Sequence, residues 1–189
     1  MLGIDPGLSR CGYGAVVGSP GRVDVVRAGV IRTDPRTPLP KRLARLADEV
    51  ESLLDEIQPR AIAVERVLFQ TNARTAISVG QASGLVLAAA ARREIEVAEY
   101  SPNAVKLAIT GDGAADKRAV QAMVVRIGRL AEVPEPPDVA DALALAICHA
   151  WRDPRRTDEG RTPTRGYEHA VLAAVHTAAR SASERGRQT

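Results

Sequence analysis

Three short apolar segments at the start of the chain predict three consecutive strands. The first covers residues 2–5 and ends at the Pro-Gly pair at 6–7, which is a turn signal. Segments 13–18 and 23–33 follow, and the Ser-Pro-Gly tripeptide at 19–21 between them is typical of a tight turn. We therefore predict an antiparallel meander in which the third strand pairs with the second.

The spacing of apolar residues then changes from the period of a strand to that of a helix. From position 38 to 57 apolar residues recur three or four apart, and Gln58-Pro59 ends this first helix. Further along, the pattern predicts strands 61–64, ending at Glu65, and 96–100, and helices 72–93, 102–111, 117–130 and 138–151. Asn72, Ser101 and Asp116 are typical N-cap residues for three of these helices. The order βββαβαβααα predicts an α/β fold with a five-stranded mixed sheet and helices on both faces.

The character of the chain changes after Trp151, where Arg, Pro, Gly and Thr dominate. We predict disorder over 152–166 and an isolated Ala-rich helix over 167–180, which is marginal without a packing partner. Residues 1–151 hold 18 Lys and Arg against 18 Asp and Glu, so the net charge of +3 comes from the tail 152–189. We predict one domain over 1–151 followed by an Arg-rich tail, whose charge is a weak indication of a nucleic-acid partner.

Composition excludes several classes of protein. No stretch of about 18 residues is apolar and free of charge, and the start lacks the basic and apolar regions of a secretory signal. Cys11 and Cys148 have no metal-binding spacing, which favours two reduced thiols in a cytoplasmic protein. Aromatic residues make up 3% of the chain, too few for a platform that stacks single-stranded bases.

Four carboxylates stand at positions that suit a metal site. Asp5 and Glu65 each end an apolar strand, and the ends of such strands meet at one edge of the sheet. Asp138 and Asp141 are three residues apart at the start of the last helix, so they share a face. Oxygen-only ligands favour Mg²⁺ or Mn²⁺, and two such ions can activate water and stabilise the leaving oxygen of a phosphodiester.

Each of these acids has an ordinary structural interpretation when taken alone. Asp5 can belong to a simple Asp-Pro-Gly turn, and Glu65 can pair with Arg66 beside it. Asp138 and Asp141 can be acids that the dipole of a helix N-terminus favours. The combination of all four is what favours the metal site.

Five short motifs carry a resemblance to a known family. They are Leu-Gly-Ile-Asp-Pro-Gly at 2–7, Ala-Val-Glu-Arg-Val at 63–67, Gly-Gln-Ala-Ser-Gly at 80–84, Asp-Lys at 116–117 and Asp-Val-Ala-Asp-Ala-Leu-Ala-Leu-Ala at 138–146. As an ordered set over about residues 1–151 they resemble the Holliday-junction resolvases of the RuvC family. The resemblance implies an RNase H-like fold and a Mg²⁺-dependent crossover junction endodeoxyribonuclease. Such an enzyme cuts four-way DNA junctions by paired symmetric nicks in recombination and repair.

The same resemblance implies roles for individual residues. The catalytic, metal-ligating acids of the family match Asp5, Glu65, Asp138 and Asp141, and its basic active-site positions match Lys106 and Lys117. We expect the DNA surface to include Arg66, Leu68, Phe69, Arg74, Lys106, Lys117 and Arg118. Leu68 stands where the family often has an aromatic residue that helps to unstack DNA, which leaves open whether Phe69 takes that role.

The resemblance also implies two Mg²⁺ ions per site, replaceable by Mn²⁺, a two-fold homodimer, a RuvA–RuvB branch-migration complex as partner and a cytoplasmic location. Because two identical DNA strands are cut symmetrically, a two-fold protein with two identical sites is physically reasonable. The small residues of helix 72–93 make it the candidate dimer contact. Family members carry two or three more residues ahead of Leu2, so we expect a short first strand.

Three other functions compete with this interpretation. An actin-like or sugar-kinase ATPase also has a Gly-Ile-Asp strand, but it needs a second domain that 151 residues cannot supply. A non-catalytic junction-binding module would be indicated by the loss of one of the four acids, and all four are present. An RNase H-like nuclease for RNA–DNA hybrids would use the same ligand chemistry, so only the family motifs argue against it.

Overall fold

The computed structural model describes residues 1–19, 21–66 and 73–152, and its elements follow the predicted order. The strands are β1 (Leu2–Asp5), β2 (Arg10–Ser19), β3 (Arg22–Arg32), β4 (Ala61–Glu65) and β5 (Glu96–Tyr100). The helices are α1 (Leu39–Ile57), α2 (Ala73–Arg92), α3 (Pro102–Thr110), α4 (Lys117–Gly128) and α5 (Pro137–Arg152). The predicted disorder and isolated helix of the tail lie outside the described residues, apart from Arg152, which ends α5.

The five strands form one mixed sheet in the order β3-β2-β1-β4-β5. The strand pairs β1–β2 and β2–β3 are antiparallel, whereas β1–β4 and β4–β5 are parallel. The register pairs Ile4 with Val64, so the next residues, Asp5 and Glu65, end their strands at the same edge. The predicted meander and the predicted parallel extension are both confirmed.

Helix boundaries follow local chemistry closely. The hydroxyl of Ser101 accepts a hydrogen bond from Ala104 N at 3.3 Å, and the carboxylate of Asp116 accepts one from Ala119 N at 2.8 Å. Both predicted N-caps are therefore present, while Asn72 lies outside the described residues. Helix α4 ends at Gly128, two residues before the predicted end, because Arg129 adopts a left-handed conformation with φ 51°.

Strand β2 begins three residues earlier than predicted. The sequence Arg10-Cys11-Gly12 lacks an apolar alternation, but it continues the ladder opposite residues 30–32 of β3. Pairing with a neighbouring strand thus extends β2 where side-chain pattern is uninformative.

Helices cover both faces of the sheet, as predicted. Helices α1 and α2 pack on one face around Leu2, Ile4 and Val64, whereas α3, α4 and α5 pack on the other around Val16 and Ala63. Helix α5 is buried from 142 to 150 on every side. Among the helices of the described ranges, none is long and apolar enough to cross a membrane.

Glycines allow α5 to lie directly on the sheet. A Cβ atom at Gly3 would overlap with the backbone of Ala142, and one at Gly12 would overlap with the carbonyl oxygen of Asp138. Gly14 is also close to α5, and a Cβ there would lie 2.7 Å from the side chain of Leu143. The absence of side chains at these three positions therefore sets how closely the first two turns of α5 approach β1 and β2.

We predict that Gly12→Ala lowers the free energy of unfolding by about 2 kcal/mol or more, because α5 must move to admit the methyl group. Urea denaturation followed by circular dichroism measures this change. Gly113→Ala is the control, since the nearest atom to its Cβ would be at an ordinary 3.5 Å. Equal stability of the two variants would contradict the close approach.

Candidate active site

The site begins at the edge where β1 and β4 end. Asp5 and Glu65 are the last residues of these parallel neighbours, and both side chains are half-buried. Buried apolar residues precede each acid on its strand, which holds the backbone of both in the core. The predicted meeting of the two carboxylates at one sheet edge is therefore present in the structure.

Helix α5 brings the other two acids to this edge. Asp138 lies in its first turn beside Gly12, the residue that pairs with Asp5 in the β1–β2 ladder. Asp141 is one turn further and lines a cleft together with Glu65. The side chain of Asp138 is 19% exposed and that of Asp141 is 30% exposed, so both carboxylates are only partly hydrated.

The acids act on one another electrostatically. Burial first, and then the charges of Glu65, Asp141 and Asp138, raise the pKa of Asp5 to about 7. The pKa of Glu65 is also raised, chiefly by burial and then by the charge of Asp141. The four predicted acids therefore share one field, in which a bound proton or cation is favoured.

Lys117 lies at the centre of this field. Its Nζ donates a hydrogen bond to Asp141 Oδ2 at 2.7 Å, and this bond raises the pKa of the lysine. The charge of Lys117 in turn lowers the pKa of Asp5 and of Glu65. Lys106 lines the same cleft, of about 280 Å³, as Glu65, Asp141 and Lys117. Both lysines that the resemblance indicated are therefore beside the carboxylates.

Arg10 is a site residue that sequence reasoning missed. Its Nε lies 3.0 Å from Asp138 Oδ2, although its position at the start of β2 carries no motif that indicates this contact. The ion pair exists because α5 approaches β2 so closely at Gly12. Only the packing of a distant helix brings these two residues together.

The loop between β1 and β2 is held in place by hydrogen bonds from residues outside the site. Thr33 donates through its hydroxyl to Leu8 O and through its backbone N–H to Ser9 O. Arg42 of α1 donates to Thr33 Oγ1 at 2.9 Å and to Ser9 Oγ at 2.7 Å. These contacts fix the backbone between Asp5 and Arg10, and no sequence motif indicated them.

The structure gives less information on the remaining predicted DNA contacts. Arg66 and Arg118 are exposed, and Arg118 follows Lys117 in the first turn of α4. Arg74 belongs to the first turn of α2, and nothing is described of its side chain. Leu68 and Phe69 lie outside the described residues, so the expectation that one of them meets the crossover stays a prediction.

The donor set fits a hard divalent cation. Asp138 Oδ2 is buried and has no hydrogen-bond partner among the residues that the structure describes. The neighbouring groups are carboxylates, and the pKa values of Asp5 and Glu65 are raised. In residues 1–19, 21–66 and 73–152, no three Asp, Glu, His or Cys side chains already form a metal-binding group. The chemistry of the site therefore suits a metal, while its side chains are arranged around the cations of the protein itself.

The five-stranded mixed sheet with acids at one edge defines an RNase H-like protein. A family model for crossover junction endodeoxyribonuclease RuvC matches residues 1–149. The chain belongs to this family.

Relatives and solved structures agree with this assignment. Crossover junction endodeoxyribonuclease RuvC of Rhodococcus opacus is 52% identical over 155 residues, which cover 82% of each chain. The protein of the same name from Leifsonia xyli subsp. xyli is 54% identical over 153 residues, which cover 80% of this chain and 74% of that one. T. thermophilus RuvC, solved in complex with Holliday junction substrate, superposes with a TM-score of 0.76 at 38% identity, covering 79% of this chain and 92% of that one.

We predict that the metal-free protein loses stability as pH rises from about 4 to about 7, because Asp5 ionises less readily folded than unfolded. Asp5→Asn removes this penalty. The variant should exceed the wild type by roughly 2–4 kcal/mol in free energy of unfolding at pH 8 in EDTA, with the difference shrinking toward pH 4. Urea denaturation at both pH values measures it, and a difference independent of pH would contradict the raised pKa.

Proposed function

We propose that this protein is a metal-dependent endonuclease that resolves four-way DNA junctions by paired symmetric nicks, in homologous recombination and DNA repair. The observation that carries the proposal is the meeting of four carboxylates and Lys117 at one sheet edge, within the segment that matches the RuvC family. Such a site suits hydrolysis of a phosphodiester, which needs stabilised negative charge and an activated water.

Asp5, Glu65, Asp138 and Asp141 are the residues that would hold Mg²⁺, with Mn²⁺ as a substitute and two ions per site. When bound, these ions supply an activated water and stabilise charge on the leaving oxygen, which leaves 5′-phosphate and 3′-hydroxyl ends. The lysines act beside them. Lys117 and Lys106 lie in the cleft where a scissile phosphate would enter, and each can donate to its oxygens.

DNA is held mainly through its backbone in this proposal. Arg66 and Arg118 are exposed, and each directly follows a residue that lines the cleft. Arg74, Leu68 and Phe69 remain proposed contacts. Phosphate contacts make binding sensitive to salt, while contacts to bases near the cut set any sequence preference. We assign these functions to the nuclease domain 1–151, and loose DNA binding by the Arg-rich tail 152–189 stays a prediction.

We also infer that two copies act together across helix α2. Gly80 and Gly84 are exposed and a Cβ at either would meet no atom within 4 Å, so a second helix could approach closely. Ile77 on the same helix is 60% exposed. A two-fold dimer presents two identical sites to the two strands of a junction. The family resemblance extends the proposal to a cytoplasmic location and to cooperation with a RuvA–RuvB complex.

We predict that a synthetic four-way junction receives paired symmetric nicks in Mg²⁺ and none in EDTA, whereas linear duplex and RNA–DNA hybrid remain intact. Asp5→Asn should bind the junction with unchanged affinity but cut it at least about 1,000-fold more slowly, because the metal site loses an anionic ligand. Gel-resolved cleavage and a mobility-shift titration measure the two effects.

Three other outcomes would contradict different parts of this proposal. Junction binding without cleavage in both Mg²⁺ and Mn²⁺ would indicate a binding module. Cleavage of the hybrid in preference to the junction would indicate an RNase H-type activity. Robust cutting by Asp5→Asn would remove Asp5 from the metal site.

We predict that Gly84→Arg converts the dimer to a monomer and turns paired nicks into single, unpaired ones. Arginine favours a helix by roughly 0.8 kcal/mol over glycine, and its Cβ meets no atom here, so the variant should stay folded. Ala44→Arg on the exposed side of α1 is the matched control. Light scattering coupled to size exclusion measures the mass, and a dimeric Gly84→Arg would place the interface elsewhere.

A further inference from the structure

We propose that Arg10 is an exchangeable counter-ion of Asp138: it holds this carboxylate while the site has no metal, and it turns onto a backbone phosphate of the DNA when a divalent cation takes the carboxylate. Arg10 is thus a positioning residue for the metal site and a phosphate ligand of the loaded site. This inference rests on the proposed function and adds a residue that the family motifs do not include.

The contact between Arg10 and Asp138 is close but incomplete. Arg10 Nε lies 3.0 Å from Asp138 Oδ2, yet among the described residues this buried oxygen has no hydrogen-bond partner. A buried carboxylate oxygen needs a cation or a donor, and the Arg10 guanidinium is the ion-pair partner of this oxygen in the described part of the chain. The Arg10 side chain is 55% exposed, whereas that of Asp138 is 19% exposed. An ion pair with one partner in water is weak, so a competing cation can replace it.

Asp141 is engaged in the same way from another element. Lys117 at the start of α4 donates to Asp141 Oδ2 at 2.7 Å. The two aspartates of α5 therefore each have a protein cation in the place where a metal would bind. A divalent cation that took these two oxygens would displace Arg10 and Lys117 from them.

The backbone of Arg10 is fixed and cannot move together with its side chain. Gly7 packs so tightly on the Arg10 carbonyl that a Cβ there would overlap with it, and Arg10 pairs with Arg32 across β2 and β3. Ser9 is held by Arg42 at 2.7 Å. When the ion pair opens, the side chain moves about a fixed backbone, so the guanidinium stays near the end of α5 that carries Asp138.

The chemistry of the freed group selects phosphate. A guanidinium presents parallel N–H donors that match two oxygens of a phosphodiester, and it keeps its charge at every pH of interest. Near a site that cuts DNA, a backbone phosphate is the anion that arrives with the substrate. Metal loading and phosphate binding are then linked through one side chain.

Calorimetric titration of the full-length protein with Mn²⁺, without DNA, tests the first half. Because Arg10→Gln removes a competitor, the variant should bind Mn²⁺ about two- to fivefold tighter than the wild type. Arg36→Gln is the control, since Arg36 pairs with Asp34 at an exposed position and its loss should leave Mn²⁺ affinity unchanged. Unchanged or weaker Mn²⁺ binding by Arg10→Gln would overturn the inference.

Junction binding tests the second half. With Ca²⁺ in place of Mg²⁺ to slow cutting, Arg10→Gln should bind the junction about three- to tenfold more weakly than the wild type. The negative slope of log affinity against log salt should become shallower by about one. In EDTA the loss should be smaller, because Arg10 is then paired with Asp138. Arg10→Lys should recover part of the affinity in Ca²⁺. An equal loss in Ca²⁺ and EDTA would show a fixed contact rather than an exchangeable one.

The two proposals fail differently. If the wild type cuts junctions and Asp5→Asn abolishes Mn²⁺ binding, the nuclease site stands whatever Arg10 does. An Arg10→Gln variant that melts at the wild-type temperature yet matches the wild type in both titrations would refute only the role of Arg10.

Discussion

The close approach of α5 to β1 and β2 is the constraint on which the site depends. At Gly3, Gly12 and Gly14 no side chain separates the helix from these strands. Asp138 therefore lies against Gly12 of β2, and Ala142 lies against Gly3 of β1, the strand that ends at Asp5. A helix separated by ordinary side chains would hold Asp138 several ångström further from Asp5. The charge coupling among the acids, the Lys117 bond and the Arg10 contact all require this packing.

Packing the acids together has an electrostatic consequence. Burial and mutual repulsion raise the pKa values of Asp5 and Glu65, while Arg10 and Lys117 neutralise the aspartates of α5. Two protein cations, and the raised pKa values of two of the acids, therefore allow four carboxylates to lie close together. This arrangement reduces the repulsion between the carboxylates of the metal-free site. A divalent cation that binds there would have to displace it.

Support for this arrangement comes from residues outside the site. Arg42 of α1 and Thr33, the residue after β3, hold the loop that links Asp5 to Arg10, so they contribute to the position of a carboxylate that neither carries. Membership of the RuvC family is consistent with a rigid edge of this kind, since in-line attack on a phosphodiester requires preorganised charge. The proposed junction specificity involves in addition a second copy and the proposed DNA contacts Leu68 and Phe69.

The sequence by itself determined the order of elements, the mixed sheet, two helix caps and which four acids to expect near the sheet edge. These could be predicted because periodicity, caps and strand ends are local features. It also indicated Lys106 and Lys117 through the family motifs. Only the tertiary structure decided that Arg10 faces Asp138, that β2 starts at Arg10, and that Arg42 fixes the loop. These contacts join residues far apart in the chain, and their geometry depends on how closely α5 and α1 pack on the sheet, which no local pattern encodes.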